Sequence, residues 1–343
     1  MSAVNYLEWL SAETPTSWWH DSGDPKELTQ ARAWGACGVT TNPVLASAAL
    51  RGNQDFWREK LGEIEPWLPA AERAERLMSA VVRNAAAAFE PVYRETGRLR
   101  GYVCAQVNPA SCWQPEAMLA MAVRFSSWAP NISVKLPATA AGMAVLEECA
   151  ARGICVTSTV SFTVAQVVAA AEAYQRGRLR AERAGIAAAP CFAVIMIGRV
   201  DDYLREVVKD NRLELSETDI QLAGLAITKR AYELFRQRKY QSQLLIAALR
   251  GVHHMEGVCG GQLVMSIHPS VQKLLIAPGM PRTMGIAAAV PKEALKRLQA
   301  VPEFRKAFEV DGLQEKEFIA FGLTQKTLSQ FSAGGWSLLE TFK

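Results

Sequence analysis

Short apolar segments alternate with amphipathic or alanine-rich segments along the chain, and this alternation most limits its fold. Several of the short segments are apolar at every position, which is typical of parallel strands buried on both faces. The strand candidates are Ser17–His20, Gly38–Thr41, Gly101–Gln106, Ile132–Leu136, Ile154–Thr159, Cys191–Ile197, Ser242–Ala247 and Gln262–Ile267. Eight strands that alternate with helices predict an α/β fold, a single (β/α)₈ TIM barrel.

The segments between the strand candidates have helical composition. The clearest are Ala70–Ala88, Ala141–Ala151, Val164–Tyr174 and Ser216–Arg238, of which the last begins with a capping-box pattern. The stretch from Pro291 onward also predicts helices, so we expect additional C-terminal helices over 291–343 that pack over the barrel. No linker or repeat divides the chain, and we expect one domain over 1–343. A doubly wound open sheet is the alternative, but no GxGxxG motif follows the first strand.

Composition and charge exclude several classes of protein. The chain is 50% hydrophobic, which is enough apolar surface to exclude an intrinsically disordered protein. The 38 basic and 34 acidic side chains give a net charge of +4, which is too balanced to indicate a nucleic-acid partner. The apolar run over 186–198 contains Pro190 and is too short to span a bilayer, so we expect no membrane segment.

The cysteines and the motifs that are missing limit the compartment and the cofactors. Seven scattered cysteines without a CxxC pair are typical of reduced thiols in a cytoplasmic protein. The first residues show no basic stretch followed by an apolar run, so we expect no signal peptide. There is no P-loop and no HExxH motif, and His253 and His254 would point apart on a strand. We therefore expect no metal and no organic cofactor.

Lys135 is the most informative residue of the sequence. It lies inside the apolar fourth strand candidate, two residues before Pro137. A strand-end lysine can reach solvent with its ammonium group, and this interpretation suits an isolated case. Near the carboxyl end of a barrel strand, however, the same lysine points to where barrel active sites lie. Burial disfavours the ammonium ion, and a neutral amine can attack a ketone to form a Schiff base.

The chain resembles the transaldolases, which are class I Schiff-base aldolases of the (β/α)₈ type. The motifs that carry the resemblance are Gly38-Val39-Thr40-Thr41-Asn42-Pro43, Val134-Lys135-Leu136-Pro137-Ala138-Thr139 with Gly142, Gly153-Ile154 leading to Thr159 and Phe162, Ala165-Gln166 with Ala169–Ala173, and Gly198-Arg199-Val200-Asp201-Asp202. Each motif alone is weak, but together and in this order they are specific. The resemblance covers most of the chain.

The resemblance implies a role for each matching position. Lys135 would be the nucleophile, and Asp21, after the first strand, would be the acid and base at the substrate C4 hydroxyl. Gln106 and Thr159 would hold the water used in forming and dehydrating the carbinolamine. Transaldolases mostly carry Glu at the position of Gln106, and the related fructose 6-phosphate aldolases carry Gln. A glutamine can place a water but cannot relay its proton.

The resemblance also implies a set of substrate contacts. The residues are Thr41, Asn42 and Thr157 for the dihydroxyacetone unit, and Arg199 and Arg250 for the terminal anion of the sugar. Read without the resemblance, these positions are turn residues, interior polar groups and surface arginines. Asp21 would then be a turn residue or a helix cap.

Several positions depart from the family pattern. Thr157 replaces the usual Asn, and Met196 replaces the Phe of transaldolases or the Tyr of the aldolases. Val194 and Ala248 stand where hydroxyl residues usually help to bind phosphate. A sulfonate needs fewer hydrogen bonds than a phosphate, so a sulfonated ketose is an alternative to a sugar phosphate. His253, His254 or His268 could supply replacement donors.

The sequence therefore predicts a cytoplasmic transaldolase that acts on a small-molecule sugar phosphate or sugar sulfonate and uses no cofactor. One alternative is an aldolase that releases free dihydroxyacetone, which Gln106 favours, whereas Met196 and the C-terminal extension argue against it. Another is a non-catalytic barrel that binds sugar phosphates, which the presence of both Lys135 and Asp21 disfavours. The sequence leaves assembly into a homo-oligomer open.

Overall fold

The computed structural model describes residues 5–62 and 67–342, and residues 1–4, on which the signal-peptide expectation depends, lie outside this part. Eight parallel strands close into a barrel in chain order, with β8 paired to β1. The strands are β1 (Ser17–His20), β2 (Gly38–Val39), β3 (Tyr102–Gln106), β4 (Ile132–Pro137), β5 (Val156–Thr159), β6 (Cys191–Met196), β7 (Gln243–Ala247) and β8 (Val264–Ile267). The predicted (β/α)₈ barrel is confirmed, although the bounds of several strands are shorter than expected.

Helices surround the strands. They are α1 (Tyr6–Glu13), α2 (Leu28–Ala33), α3 (Pro43–Gly52), α4 (Gln54–Leu61), α5 (Ala70–Glu95), α6 (Pro115–Ser126), α7 (Ala140–Ala151), α8 (Val164–Arg183), α9 (Ile197–Asp210), α10 (Glu217–Ile220), α11 (Ala223–Gln237), α12 (Val252–Val258), α13 (Pro269–Leu275), α14 (Lys292–Gln299), α15 (Pro302–Phe308), α16 (Gly322–Phe331) and α17 (Ser337–Glu340). The prediction of one helix over 216–238 was wrong, because the chain turns at 221–222 between α10 and α11. Ser216 does cap α10 by accepting from the Asp219 backbone N–H.

Aromatic side chains fill the amino-terminal part of the barrel. The ring centroids of Trp19 and Phe192 are 4.6 Å apart, and those of Tyr102 and Phe192 are 6.0 Å apart. A Cβ atom at Gly38 would lie 2.5 Å from the Trp19 ring, so only glycine fits at the start of β2. These rings block one end of the barrel with apolar surface, and the polar interior residues lie towards the other end.

The C-terminal residues add helices outside the barrel, as predicted. Helix α16 contacts α9, α17 contacts α5, and the π-helical turn Ser332–Trp336 between them packs on α3. The backbone approach is close at Gly335, where a Cβ atom would lie 2.7 Å from the Val44 backbone nitrogen. The extension therefore covers the helices that follow β2 and β6. None of the helices in the described ranges is long and apolar enough to cross a membrane.

Candidate active site

Lys135 lies inside the barrel in the carboxyl-terminal half of β4, and only 6% of it is exposed. Its register partners on the neighbouring strands are Gln106 of β3 and Thr157 of β5. The Nζ atom donates to the Thr41 carbonyl oxygen over 3.2 Å. The lysine side chain is thus buried in the barrel interior, with a backbone carbonyl oxygen as the hydrogen-bond partner of its Nζ.

Two buried polar atoms on the strands next to β4 have no hydrogen-bond partner in the described part of the chain. Gln106 Oε1 and Thr159 Oγ1 are buried and have no hydrogen-bond partner among the described residues. Gln106 is the last residue of β3 and pairs in register with Lys135, and Thr159 pairs in register with Pro137 at the end of β4. Buried polar atoms of this kind are normally satisfied by water or ligand. The arrangement is compatible with the water-holding role that the sequence predicts for both residues.

Asp21 follows β1 and accepts a hydrogen bond from the buried Thr40, whose hydroxyl in turn contacts the buried Ser266. The Thr40 hydroxyl donates to Asp21 Oδ1 over 2.6 Å, and its oxygen lies 2.5 Å from Ser266 Oγ. Thr40 has only one proton, so Ser266 must be the donor to Thr40. The sequence analysis missed the role of Ser266, although it is the polar residue of the otherwise apolar strand β8.

The charges of Asp21 and Lys135 both influence the pKa of the buried Cys104 thiol. Burial raises the pKa of this thiol, the positive charge of Lys135 acts in the opposite direction, and the negative charge of Asp21 raises it further. Both charged side chains are thus close enough to the same buried sulfur atom to act on it. The side chains of Lys135 and Asp21 therefore lie in the same interior region of the barrel, around Cys104.

The three residues expected to hold the dihydroxyacetone unit are partly occupied by protein contacts. The Thr41 hydroxyl donates to the Cys104 carbonyl oxygen over 2.7 Å, so the side chain is turned to the backbone. Asn42 Oδ1 accepts from the Leu45 N–H and caps α3, which leaves the NH₂ group for a ligand. Thr157 Oγ1 lies 2.7 Å from Ser133 Oγ in the barrel interior.

Gln166 joins the loops after β4 and β5, a role that the sequence analysis did not assign. Its Nε2 donates to the carbonyl oxygens of Ala138 and Val160, and its Oε1 accepts from the Phe162 N–H and the Thr163 hydroxyl. Val160 has a φ of +53°, which is unfavourable for a β-branched residue. The buried amide therefore holds a strained turn directly after Thr159.

Arg199 and Arg250 lie close together beyond the carboxyl ends of β6 and β7. Burial lowers the pKa of Arg199, and the positive charge of Arg250 lowers it further. Arg250 Nε and Nη2 both donate to Asp202 Oδ2, over 2.9 and 2.7 Å. Both arginines line a groove of about 510 Å³ between α9 and α16.

The C-terminal helix α16 reaches the first of these arginines. Arg199 Nη1 donates to Gln330 Oε1 over 2.6 Å, and the guanidinium carbon lies 5.4 Å from the Phe331 ring centroid. The second arginine is bounded on its other side by Ala248, which adopts a left-handed φ of +59° and accepts from Arg250 Nη1 over 2.9 Å. Val194 and Ala248 bring no hydroxyl group to this region.

The expectation that His253 and His254 point apart on a strand was wrong. Both lie in α12, where their ring centroids are 4.0 Å apart. With Asp201 they form a group whose possible metal-ligating atoms lie within 4.8 Å of one another. His254 and Asp201 are both buried, and His254 Nε2 lies 2.8 Å from Asp201 Oδ2.

Fold and site together indicate a barrel enzyme that forms a Schiff base, and comparison with known proteins agrees with this class. The sequence profile of the transaldolase/fructose-6-phosphate aldolase family matches residues 18–339. Transaldolase 1 of Streptomyces avermitilis is 31% identical over 306 residues, which cover 82% of this chain and 78% of the relative. The chain therefore belongs to the transaldolase/fructose-6-phosphate aldolase family and is a Schiff-base-forming enzyme of the transaldolase class.

Two further relatives match over shorter stretches. Transaldolase 2 of Nostoc punctiforme is 29% identical over 241 residues, which cover 66% of this chain and 63% of the relative. Transaldolase 1 of Streptomyces coelicolor is 33% identical over 226 residues, which cover 63% of this chain and 57% of the relative. The chain thus spans less than two thirds of the length of these two proteins.

Proposed function

We propose that this enzyme transfers a dihydroxyacetone unit from a ketose with a terminal anion to an aldose acceptor. The observation that carries the proposal is Lys135, which is buried inside β4 with a carbonyl oxygen as the hydrogen-bond partner of its Nζ. A buried amine of this kind is suited to attack a ketone. In this proposal residues 1–343 form one barrel domain, and the site lies at the carboxyl ends of its strands.

The reaction begins with attack of Lys135 Nζ on the ketose C2 carbonyl, which gives a carbinolamine. Loss of water then gives the protonated Schiff base, and the water held by Gln106 and Thr159 assists this step. Asp21 accepts the proton of the C4 hydroxyl while the C3–C4 bond breaks, and the bonding electrons pass to the imine. The aldehyde product leaves, and the enamine on Lys135 attacks an acceptor aldehyde in the reverse sequence.

The hydrogen bond from Thr40 supports the assignment of Asp21. A carboxylate that accepts one strong hydrogen bond keeps its orientation, and its second oxygen is available for the substrate hydroxyl. The NH₂ group of Asn42 is available for the hydroxyls of the three-carbon unit. Thr41 contributes through its backbone carbonyl next to Lys135 Nζ.

The terminal anion of the ketose binds at Arg199 and Arg250 in this proposal. One acidic group, Asp202, already takes two hydrogen bonds from Arg250, so the cationic charge available to a ligand is reduced. Val194 and Ala248 cannot donate hydrogen bonds. Both features favour an anion with a modest demand for donors, and a sulfonated ketose is therefore proposed beside a sugar phosphate. The seven cysteines are buried and form no disulfide bond with one another, which supports action in the cytoplasm.

Borohydride trapping tests the proposal. Wild-type protein treated with fructose 6-phosphate and borohydride is expected to gain a stable adduct, which peptide mapping places on Lys135. Lys229→Met is the matched control, because Lys229 is a second lysine that is partly buried: burial lowers its pKa, and its Nζ donates to backbone carbonyl oxygens such as that of Ala288. The control is expected to keep the adduct, whereas Lys135→Met loses it. An adduct on another lysine contradicts the assignment.

The second candidate function is an aldolase that releases free dihydroxyacetone. Gln106 favours it, because its amide cannot relay a proton. Cleavage of fructose 6-phosphate measured with and without an aldehyde acceptor separates the two functions. A transaldolase needs the acceptor for repeated turnover, whereas an aldolase turns over without it.

A further inference from the structure

Asp201 and His254 form a buried pair next to the segments that carry Arg199 and Arg250. The pair takes no part in the proposed chemistry. Asp201 is 2% exposed and His254 is 0% exposed. Burial raises the pKa of Asp201, and the hydrogen bond from His254 opposes this shift. A buried ionisable pair costs free energy of desolvation, so a specific structural task is expected for it.

The hydrogen bonds define the tautomer of His254. Its Nδ1 accepts from the Arg250 backbone N–H over 3.1 Å, so Nδ1 carries no proton. Nε2 therefore carries the proton and donates to Asp201 Oδ2 over 2.8 Å. The other carboxylate oxygen, Oδ1, accepts from the Gly224 N–H over 2.8 Å. Both ring nitrogens of His254 and both carboxylate oxygens of Asp201 thus have a hydrogen-bond partner.

The hydrogen bonds of Asp201 and His254 join the chain segments that carry Arg199 and Arg250. Asp201 lies two residues after Arg199 on α9, and Gly224 belongs to the first turn of α11. His254 lies four residues after Arg250, on α12. The packing is close here as well, because a Cβ atom at Gly198 would lie 2.4 Å from both the Ala248 carbonyl oxygen and Arg250 Cγ. The Arg250 segment is therefore packed closely against the first turn of α9.

We propose that Asp201 and His254 are positioning residues that hold the Arg250 backbone, and with it the spacing of the two guanidinium groups, for the terminal anion of the ketose. This proposal rests on the anion site of the proposed function. It assigns to His254 the role of a neutral hydrogen-bond acceptor for one backbone N–H and to Asp201 the role of fixing that tautomer.

The same tautomer argues against a metal ion at this cluster. A metal bound at His254 Nε2 would displace the proton from the one nitrogen that carries it. Because Nδ1 accepts from the Arg250 N–H, the ring would then be an imidazolate, which is unfavourable near neutral pH. The half-buried His253 has no partner for its Nε2 in the described residues, and burial lowers the pKa of His253 to about 4.

Asp201→Asn is the most direct test. The amide oxygen is expected to keep the bond to the Gly224 N–H, which turns the NH₂ group towards His254. The imidazole must then accept at Nε2 and carry its proton on Nδ1, opposite the Arg250 N–H. This clash is expected to displace Arg250 and to lower the ratio of kcat/KM for fructose 6-phosphate over that for fructose about tenfold, with the loss in KM.

Two substitutions of His254 test separately its hydrogen bond to the Arg250 N–H and its hydrogen bond to Asp201. His254→Asn keeps an acceptor near the Arg250 N–H but does not reach Asp201, and His254→Gln keeps the donor to Asp201 but loses that acceptor. We expect the Asn variant to retain more of the preference for the anionic ketose. His253→Asn is the matched control on the same helix and is expected to keep the wild-type ratio.

The tautomer is measured directly by long-range ¹H–¹⁵N correlation on protein with labelled histidine. The chain has four histidines, and comparison with the His254→Gln variant assigns the signal. The wild type is expected to show the Nε2–H form and Asp201→Asn the Nδ1–H form. A wild-type Nδ1–H form, or an unchanged kinetic ratio in Asp201→Asn, overturns the inference. Zn²⁺ binding that is lost in Asp201→Asn also overturns it, in favour of a metal site.

Arg250→Ala distinguishes failure of the inference from failure of the proposed anion site. If Arg250→Ala leaves the ratio for anionic over neutral ketose unchanged, the proposed anion site is wrong. If Arg250→Ala lowers the ratio and Asp201→Asn does not, the anion site stands and the positioning role is wrong. Circular dichroism and thermal unfolding confirm that each variant is folded before its kinetics are compared.

Discussion

The Thr40 hydroxyl donates to Asp21 Oδ1 over 2.6 Å, and the same Thr40 oxygen lies 2.5 Å from Ser266 Oγ. This chain of hydroxyls leaves Asp21 with one oxygen bound to the protein and one that can face a substrate. Thr40→Val keeps the shape of the side chain and removes the donor. We expect kcat to fall about tenfold while the borohydride adduct still forms, because the amine is unchanged.

Ser266→Ala provides the graded comparison for Thr40→Val. It removes only the outer hydroxyl of the chain, so a smaller loss of kcat is expected than for Thr40→Val. Steady-state kinetics and intact-mass measurement of the trapped adduct check both variants. Equal activity of wild type and Thr40→Val would show that this hydrogen bond does not support the acid/base.

The unpartnered oxygen of Gln106 predicts an effect on Schiff-base formation. Gln106→Leu removes a polar partner for water beside Lys135, so dehydration of the carbinolamine is expected to slow about a hundredfold. Single-turnover trapping with borohydride measures this rate. Ser158→Ala is the control, since Ser158 also carries a buried unpartnered hydroxyl on β5. A rate that falls equally in both variants would contradict the assignment.

Gln166 predicts a loss of stability. Gln166→Met leaves two carbonyl oxygens and two donors unsatisfied at the buried ends of β4 and β5, so the free energy of unfolding is expected to fall by about 3 kcal/mol. Urea denaturation measures the change. The control is Gln237→Met, because the amide of Gln237 is exposed on α11 and donates to the exposed Glu233. A loss below about 1 kcal/mol would mean that water replaces the amide.

The C-terminal helix predicts an effect on substrate charge. Gln330→Glu places a carboxylate against Arg199 Nη1, which competes with the terminal anion of the ketose. We expect KM for fructose 6-phosphate to rise about tenfold and KM for fructose to stay near its wild-type value. Gln325→Glu adds the same charge at an exposed position of the same helix and serves as the control. If both variants raise KM to a similar extent, the effect comes from the added negative charge in general and not from the contact with Arg199.

The contact between Asp219 and Arg297 predicts a pH-dependent attachment of the C-terminal extension. The hydrogen bonds from Arg297 lower the pKa of Asp219 from 3.8 to about 2. Because the folded-state pKa is the lower one, the stabilisation is present above pH 4 and is lost as the pH falls through about 2. Asp219→Asn should therefore destabilise the protein at pH 7 and lose this effect towards pH 2. Urea unfolding at several pH values checks this, with the exposed Asp55→Asn as control.

Much of the fold follows from local sequence patterns. Short, mostly apolar segments predicted all eight strands, because strands buried on both faces are rich in apolar residues. Strand β2 is shorter than predicted, since Asn42 leaves the sheet to cap α3. The histidine pair was misplaced because a short segment such as 252–258 has too few residues for a clear helical period.

The sequence by itself determined the barrel and the position of Lys135, because both depend on the order of apolar and polar residues over a few positions. Only the tertiary structure decided which side chains surround the lysine and the arginines. Thr40 and Ser266 are 226 residues apart, Arg199 and Gln330 are 131 apart, and Asp201 and His254 are 53 apart. Hydrogen bonds between such distant residues exist only after the barrel closes, since closure brings the ends of different strands to one rim, and no local spacing encodes them.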